Sequence, residues 1–330
     1  SVGCVIVKNN QILSFGQTGY GGKPHAEVNA INNCKYPIKN SSIYISLEPC
    51  SHFGKTPPCT QKIIKSKIKY VFYGLDDIDE RSSNKSKKIL SSKKIFVKKN
   101  FLKKTAKKIY KSYFFLKSSE LPYITGKIAC SKNYMTVFKK RYISNDYSLG
   151  FSHILRKKNQ GILISHKTLN NDDPILNCRL NGLDKFTPKR FILDKNLNIN
   201  LNSLIVKTSK IYSSYVFYNK KNNKSQILKK NGLKLIKCPL DINKKLDLKY
   251  ILKKIRKLNI DYLLVEGGKN LSEAFLNKNL FNEFYIFKSD KLSKKNSSQI
   301  NSLISKLKNS FKNKKEVDFF TGNDVIKRYY

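Results

Sequence analysis

KPHAEVNAINNC (residues 23–34) and ISLEPCSHFGKTPPCTQKII (residues 45–64) decide how the first part of this chain folds. One places a histidine ahead of Ala-Glu where a helix-forming run begins. The other ends an apolar strand in two Pro-Cys pairs. Zinc takes three or four soft or borderline ligands at tetrahedral reach, and a catalytic site leaves one position to water. His25 at one helix start, and Cys50 and Cys59 at another, can share a metal if the two helix N-termini converge, and a helix N-terminus favours thiolate. Glu27 lies two residues past His25, near enough to reach water at the metal without binding the ion. His-x-Glu, then Pro-Cys, then Cys is the logic of zinc deaminases: the metal makes hydroxide at neutral pH and the glutamate carries its proton to the leaving ammonia. Two alternatives stand beside this. His52 competes with Cys59 for the third ligand position, and a purely structural zinc site would use the same ligands without chemistry.

Nucleobase deaminases have two residues between their cysteines; here there are eight, SHFGKTPP. The longer loop brings His52, Lys55 and Thr56 beside the metal. A cation and a hydroxyl there suit a phosphate on the substrate.

A chain of 330 residues has room for two domains with real cores. Neither a signal peptide nor an apolar run long enough for a membrane helix is visible. Seven scattered cysteines form no disulfide framework and suit a reducing cytoplasm. The formal net charge of +44 invites a nucleic-acid reading. Only seven of the 66 basic residues are arginine, however, and phosphate-clamping surfaces draw on arginine's bidentate fork. Lys, Asn and Ile share A/T-rich codons, so compositional bias accounts for the charge. The expected partner is a small molecule, with no specific nucleic acid and no membrane.

The first half alternates. VGCVIV and QILSFG read as strands joined at Asn9-Asn10, and a helix follows from Pro24 to about Cys34, with proline in the first turn. Residues 41–48 are a strand, a second proline-led helix begins at PPC, and 69–76 is a strand. Residues 84–94 are helical, IFVKKN is a short strand, and KKTAKKIYKSYFFLK is one helix. This order implies an α/β domain with a largely parallel sheet over residues 1–118. A second domain spans 121–330, with strands at 160–165, 189–194, 214–218 and 261–266 and helices in SLGFSHILRKK and LSEAFLNKNL. Residues 288–315 are poorly patterned, a loop or a weak helix, and the end reads as a strand pair turning at Gly322-Asn323-Asp324.

VGCVIV, GKPHAEVNAI and IYISLEPCSHFGKTPPC closely resemble the bifunctional riboflavin-biosynthesis deaminase/reductase family, whose long Cys-to-Cys loop sets it apart from cytidine and RNA-editing deaminases. The resemblance implies a cytidine-deaminase-like three-layer domain followed by a dihydrofolate-reductase-like α/β domain. It implies zinc on His25, Cys50 and Cys59, with Glu27 as the catalytic proton shuttle. The first domain would hydrolytically deaminate a diamino-pyrimidinone ribosylamine 5′-phosphate, and the second would reduce the ribosyl to a ribityl chain with NADPH. The family also carries a further helix and a Pro-Asn-Pro segment ahead of Val-Gly, so those contacts are expected to lie outside this sequence.

In the second half, PYITGKIACS, HILRKKNQGILISHKTLNNDDPILNCR and YLLVEGGKNLSEAFL match the family's segments. They imply cofactor contacts at Ala129, Tyr142, Thr168, Asp172 and Gly268, and substrate contacts at Lys127, Arg156, Leu176, Arg179 and Glu266, beside His52 and Lys55 of the first domain. Gly267-Gly268 follow a strand and precede a helix, so backbone amides can approach a pyrophosphate there. Scarce arginines such as Arg156 and Arg179 suit the substrate phosphate. The chain departs from the family at Ser131-Lys132-Asn133-Tyr134-Met135, where Tyr134 replaces a glycine, at Tyr142 in place of tryptophan, and at Lys195 in place of serine. A decayed reductase serving as scaffold, or a nucleic-acid deaminase, are the alternatives. A homodimer through the second domain is what the family implies.

Overall fold

The computed structural model describes residues 1–54, 56–136, 143–293 and 298–330. Its chain divides into two compact units, Ser1–Ser118 and Ser119–Tyr330. No helix among the described residues is long and apolar enough to cross a membrane.

Unit 1 is built on β1 (Gly3–Lys8), β2 (Gln11–Gln17), β3 (Ser42–Ile45), β4 (Tyr70–Tyr73) and β5 (Phe96–Lys98), in sheet order β2-β1-β3-β4-β5. The first pairs are antiparallel, and β3-β4-β5 run parallel. Asn9 and Asn10 both take positive φ, 50° and 58°, as a two-residue hairpin turn demands. Helices α1 (Ala26–Asn32), α2 (Cys59–Lys65) and α3 (Lys85–Ser91) bury Ala26, Ala30, Ile63 and Leu90 with Ile6, Ile43 and Val71 on one face. On the other, α4 (Lys103–Ile109) and α5 (Lys111–Ser118) bring Ala106 and Tyr110 to Leu47 and Leu75. The expected three layers are present.

The expected helix from Pro24 is shorter than its sequence suggests. Helix α1 starts at Ala26, with His25 extended at its N-cap, and Pro24 stays in the loop because its carbonyl accepts the Gly19 N–H at 2.9 Å. The long helix expected before residue 118 breaks at Tyr110 into α4 and α5.

Unit 2 holds β6 (Tyr123–Cys130), β7 (Met135–Thr136), β8 (Gly161–Ser165), β9 (Lys189–Leu193), β10 (Ser214–Tyr218), β11 (Lys234–Lys237), β12 (Tyr262–Glu266), β13 (Glu283–Lys288), β14 (Ser298–Gln299), β15 (Lys314–Glu316) and β16 (Val325–Tyr329). Nine of them form one sheet in the order β11-β10-β9-β8-β12-β6-β13-β16-β15, parallel as far as β13. Helices α6 (Asp146–Lys158), α7 (His166–Asp172), α8 (Leu204–Lys207) and α9 (Lys224–Lys230) cover one face, and α10 (Leu248–Lys257), α11 (Lys269–Asn277) and α12 (Asn301–Ser310) the other. The poorly patterned 288–315 stretch thus contains β14, α12 and the start of β15; residues 294–297 lie outside those described.

Helix α1 lies directly on β2. A Cβ added to Gly16 would meet the Ala26 carbonyl oxygen and the Ala30 nitrogen, each at 2.4 Å, so the contact is backbone against backbone. Gly16→Ala is expected to destabilise unit 1 by about 1–3 kcal/mol, since neither side can yield by a rotamer change. The midpoint of its urea transition reads this, and an unchanged midpoint would show that α1 shifts freely.

Candidate active sites

His25, at the α1 N-cap, meets Cys59, the first residue of α2, and Cys50, in the loop after β3. His25 Nδ1 lies 3.3 Å from Cys59 Sγ and 3.5 Å from Cys50 Sγ, and the three candidate ligand atoms fall within 4.8 Å of one another. With Zn–S near 2.3 Å and Zn–N near 2.0 Å, a tetrahedral site needs N-to-S edges of about 3.5 Å. The three side chains therefore fit a zinc ion and leave a fourth position. Hydrogen bonding, foremost from Cys59, brings the Cys50 thiol down to about 4. Glu27, in the first turn of α1, is 3% exposed, and burial pushes its carboxyl up to about 7. A group poised there exchanges protons readily at neutral pH.

His52 does not join this cluster. Its Nδ1 pairs with Ser82 Oγ at 2.8 Å, and Ser82 is fully buried. Ser82 belongs to the loop after β4, which an unforeseen residue braces. Glu48, 4% exposed, accepts hydrogen bonds from the backbone nitrogens of Asp77, Asn84 and Ser86 and from Ser86 Oγ, at 2.7 to 3.2 Å. Lys55 lies outside the described residues.

In unit 2, Lys127, Arg156 and Glu266 gather over the neighbouring central strands β6 and β12. Lys127 on β6 and Glu266 on β12 are register partners. Arg156 reaches from α6 and grips Glu266 with two bonds, Nε to Oε1 and Nη2 to Oε2, both 3.1 Å. Arg156 and Lys127 outweigh burial and hold the Glu266 carboxyl down at about 2. Burial pulls the Lys127 ammonium below its usual range, opposed by Glu266, and Asp172 at the end of α7 lies within electrostatic reach.

The other expected contacts divide. Gly268 caps α11 with open space where a side chain would stand, while Gly267 lies against Leu271. Thr168 sits in the first turn of α7, capped by Ser165. Ala129, on β6, is partly buried against the core. Leu176 is 2% exposed with φ 60°, so its side chain belongs to the core and only its backbone can face a ligand. Arg179 is exposed. Tyr142 lies outside the described residues.

Tyr134 does occupy a glycine-type conformation, with φ 59°, but its ring turns aside. The ring packs partly against the core, and Lys288 Nζ stands 4.4 Å from its centroid. The substitution thus carries a conformational cost of roughly 1–2 kcal/mol without pushing the strand apart.

The sequence also gave no role to Arg190. It is fully buried on β9 and donates to the carbonyls of Ile175, Ile205 and Tyr212 and to the hydroxyls of Thr208 and Ser214. Its scarcity was the available signal.

Two family models match the chain. One, described as the cytidine and deoxycytidylate deaminase zinc-binding region, covers residues 1–75, and the other, the RibD C-terminal domain, covers residues 126–292. The chain is 34% identical to the riboflavin biosynthesis protein RibD of Aquifex aeolicus, over 88% of this chain and 81% of that one. It is 31% identical to the protein of the same name from Buchnera aphidicola, with coverage of 88% and 81%. Among solved structures it is similar to Acinetobacter baumannii RibD, with a TM-score of 0.77 at 26% identity, covering 99% of this chain and 91% of that chain.

Metal analysis separates the ligand sets. Cys59→Ala is expected to lower bound zinc to a small fraction of that in the parent protein, whereas His52→Ala leaves it unchanged; the reverse pattern would transfer the third position to His52.

Proposed function

Because the chain belongs to the RibD family, bifunctional deaminase/reductases of riboflavin biosynthesis, we propose how its residues divide the two reactions. Its cofactors are Zn2+ and NADPH, and its substrate is a small molecule. Unit 1 deaminates the diamino-pyrimidinone ribosylamine 5′-phosphate by hydrolysis. Unit 2 reduces the ribosyl side chain of the product to ribityl.

One observation carries the deaminase assignment: three ligand atoms at zinc spacing beside a buried glutamate whose carboxyl sits at about 7. Zinc held by His25, Cys50 and Cys59 supplies activation of water. Glu27 takes up a proton on one carboxylate oxygen and returns it to the departing amine. Its burial suits both directions, because neither protonation state is strongly preferred near neutrality. His52, held by Ser82, is assigned to the substrate from the long loop, as is Lys55 by the family resemblance.

In unit 2, NADPH would supply the reducing equivalent, and Ala129, Tyr142, Thr168, Asp172 and Gly268 are the residues assigned to hold it. Lys127 hands a proton to the ribosyl group in this reading, supported by burial that makes its ammonium more acidic. Glu266 fixes Arg156 and receives the ribosyl hydroxyls on its free lone pairs. Arg179 binds the phosphate, with the Leu176 backbone alongside. The seven free cysteines support a reducing cytoplasm. The second unit is the homodimer contact that the family resemblance implies.

Product analysis by mass tests this division. Glu27→Gln is expected to lower deamination by roughly 10²–10⁴, keep the zinc, and still reduce pre-deaminated ribotide with NADPH. Lys127→Met is expected to show the opposite pattern. Loss of both activities in either variant would refute the separation.

A further inference from the structure

Arg179 extends from a stretch that has little regular structure of its own. Between α7 and β9 lies a single short turn of helix, Asp184–Phe186. Among the described arginines, Arg179 is the one whose guanidinium forms neither an ion pair nor a hydrogen bond: Arg81, Arg156, Arg256 and Arg328 pair with carboxylates, and Arg190 is bound on all sides. What the fold holds of Arg179 is therefore its backbone.

The restraint comes from α6. His153, 8% exposed, accepts the backbone N–H of Arg179 on Nδ1 at 3.3 Å. One turn further on, Arg156 Nη1 donates to the Asn177 carbonyl at 3.3 Å while its other nitrogens hold Glu266. Between these contacts, Cys178 donates its N–H to Thr187 Oγ1 at 3.1 Å. One helix face thus grips segment 177–179 at both ends and also fixes the Glu266 carboxylate.

We propose that His153 is a positioning residue for the reductase: its Nδ1 lone pair holds the Arg179 backbone so that the guanidinium meets the substrate's phosphate at a fixed distance from Glu266. The inference rests on the assignment of Arg179 to that phosphate. To accept on Nδ1, the imidazole carries its proton on Nε2 and is neutral. Burial, with Arg156 and Arg179 nearby, favours this form by lowering the pKa to about 4. The contact needs an acceptor at the Nδ1 position, not an aromatic ring or a charge. Asparagine places its Oδ1 there, whereas glutamine carries its acceptor one bond further out.

The test is steady-state reduction by the full, zinc-loaded chain, using deaminated ribotide or its dephosphorylated riboside at saturating NADPH. His153→Leu is expected to raise KM for the ribotide roughly tenfold, the scale of one lost hydrogen bond to a well-placed group. It leaves kcat, KM for NADPH, deamination and turnover of the riboside within about twofold. His153→Asn should keep the ribotide KM within about threefold of the parent. If His153→Leu does not fold, His153→Gln takes its place with the same expectation. Arg179→Gln should raise the ribotide KM at least as much, with no further rise when the two changes are combined. An unchanged KM in His153→Leu beside a raised one in Arg179→Gln overturns the inference alone. So does His153→Asn behaving like His153→Leu. An unchanged KM in Arg179→Gln overturns the phosphate assignment, and the inference with it.

Discussion

The zinc geometry of unit 1 depends on how closely α1 can approach β2. At Gly16 no side chain separates strand from helix, and the Ala26 oxygen and Ala30 nitrogen occupy the space a Cβ would need. Both helix residues are alanines and fully buried. This contact sets the height of α1 over the sheet, and so the position of His25 at its N-cap. The cysteines are placed independently, by the loop after β3 and the start of α2, and Cys59 donates its own N–H to Cys50 Sγ at 3.2 Å. A metal tolerates only a few tenths of an ångström in ligand spacing. A small residue on the strand is therefore as much a part of the site as the ligands, although it lies outside the motif.

Unit 2 solves a different problem, that of keeping opposite charges side by side on adjacent parallel strands. Lys127 and Glu266 are register partners, and Arg156 closes on Glu266 with a planar two-point grip. Lys127 and Arg156 stand against Glu266, with Asp172 within electrostatic reach of Lys127, so cations and carboxylates are matched two to two. The nearby loop is tied down by neutral acceptors: Arg190 gives its protons to carbonyls and hydroxyls with no carboxylate in contact, and one of them, the Ile175 carbonyl, leads directly into Leu176 and segment 177–179. A buried cation without a counter-ion persists only when its donors are filled. Lysine could not replace it, since a single ammonium cannot span that many acceptors in a plane.

Much of this was legible because the chemistry is local in sequence. His25, Glu27 and Cys59 sit at helix starts that proline and hydrophobic patterning announce, whereas Cys50, expected at a helix start, lies in the loop after β3; alternation of strands and helices marks both sheets. Helix boundaries failed where tertiary bonds decide them, as when the Gly19 N–H keeps Pro24 in the loop. Helix α10 is legible by the same pattern: Leu248, Ile251, Leu252 and Ile255 repeat at helical spacing behind an Asp247 cap, and all four are buried. Glu48, His153 and Arg190 were not readable as positioning groups. Each acts on a backbone segment far away in sequence, and nothing in one chain's local pattern says which segment that will be.

In a chain where lysine outnumbers arginine so heavily, every described arginine except Arg179 makes a directional ion pair or hydrogen bond. Arg156 bridges Glu266 and the Asn177 carbonyl, Arg190 collects acceptors from several loops, and Arg328 pairs with Glu283 while its guanidinium stands over Tyr330. A surface charge needs only a cation, and lysine supplies it. Charge that must point is written as arginine. By that logic the exposed, unpaired Arg179 is the exception that calls for an external acceptor, and its neighbours on α6 are the means by which the fold aims it.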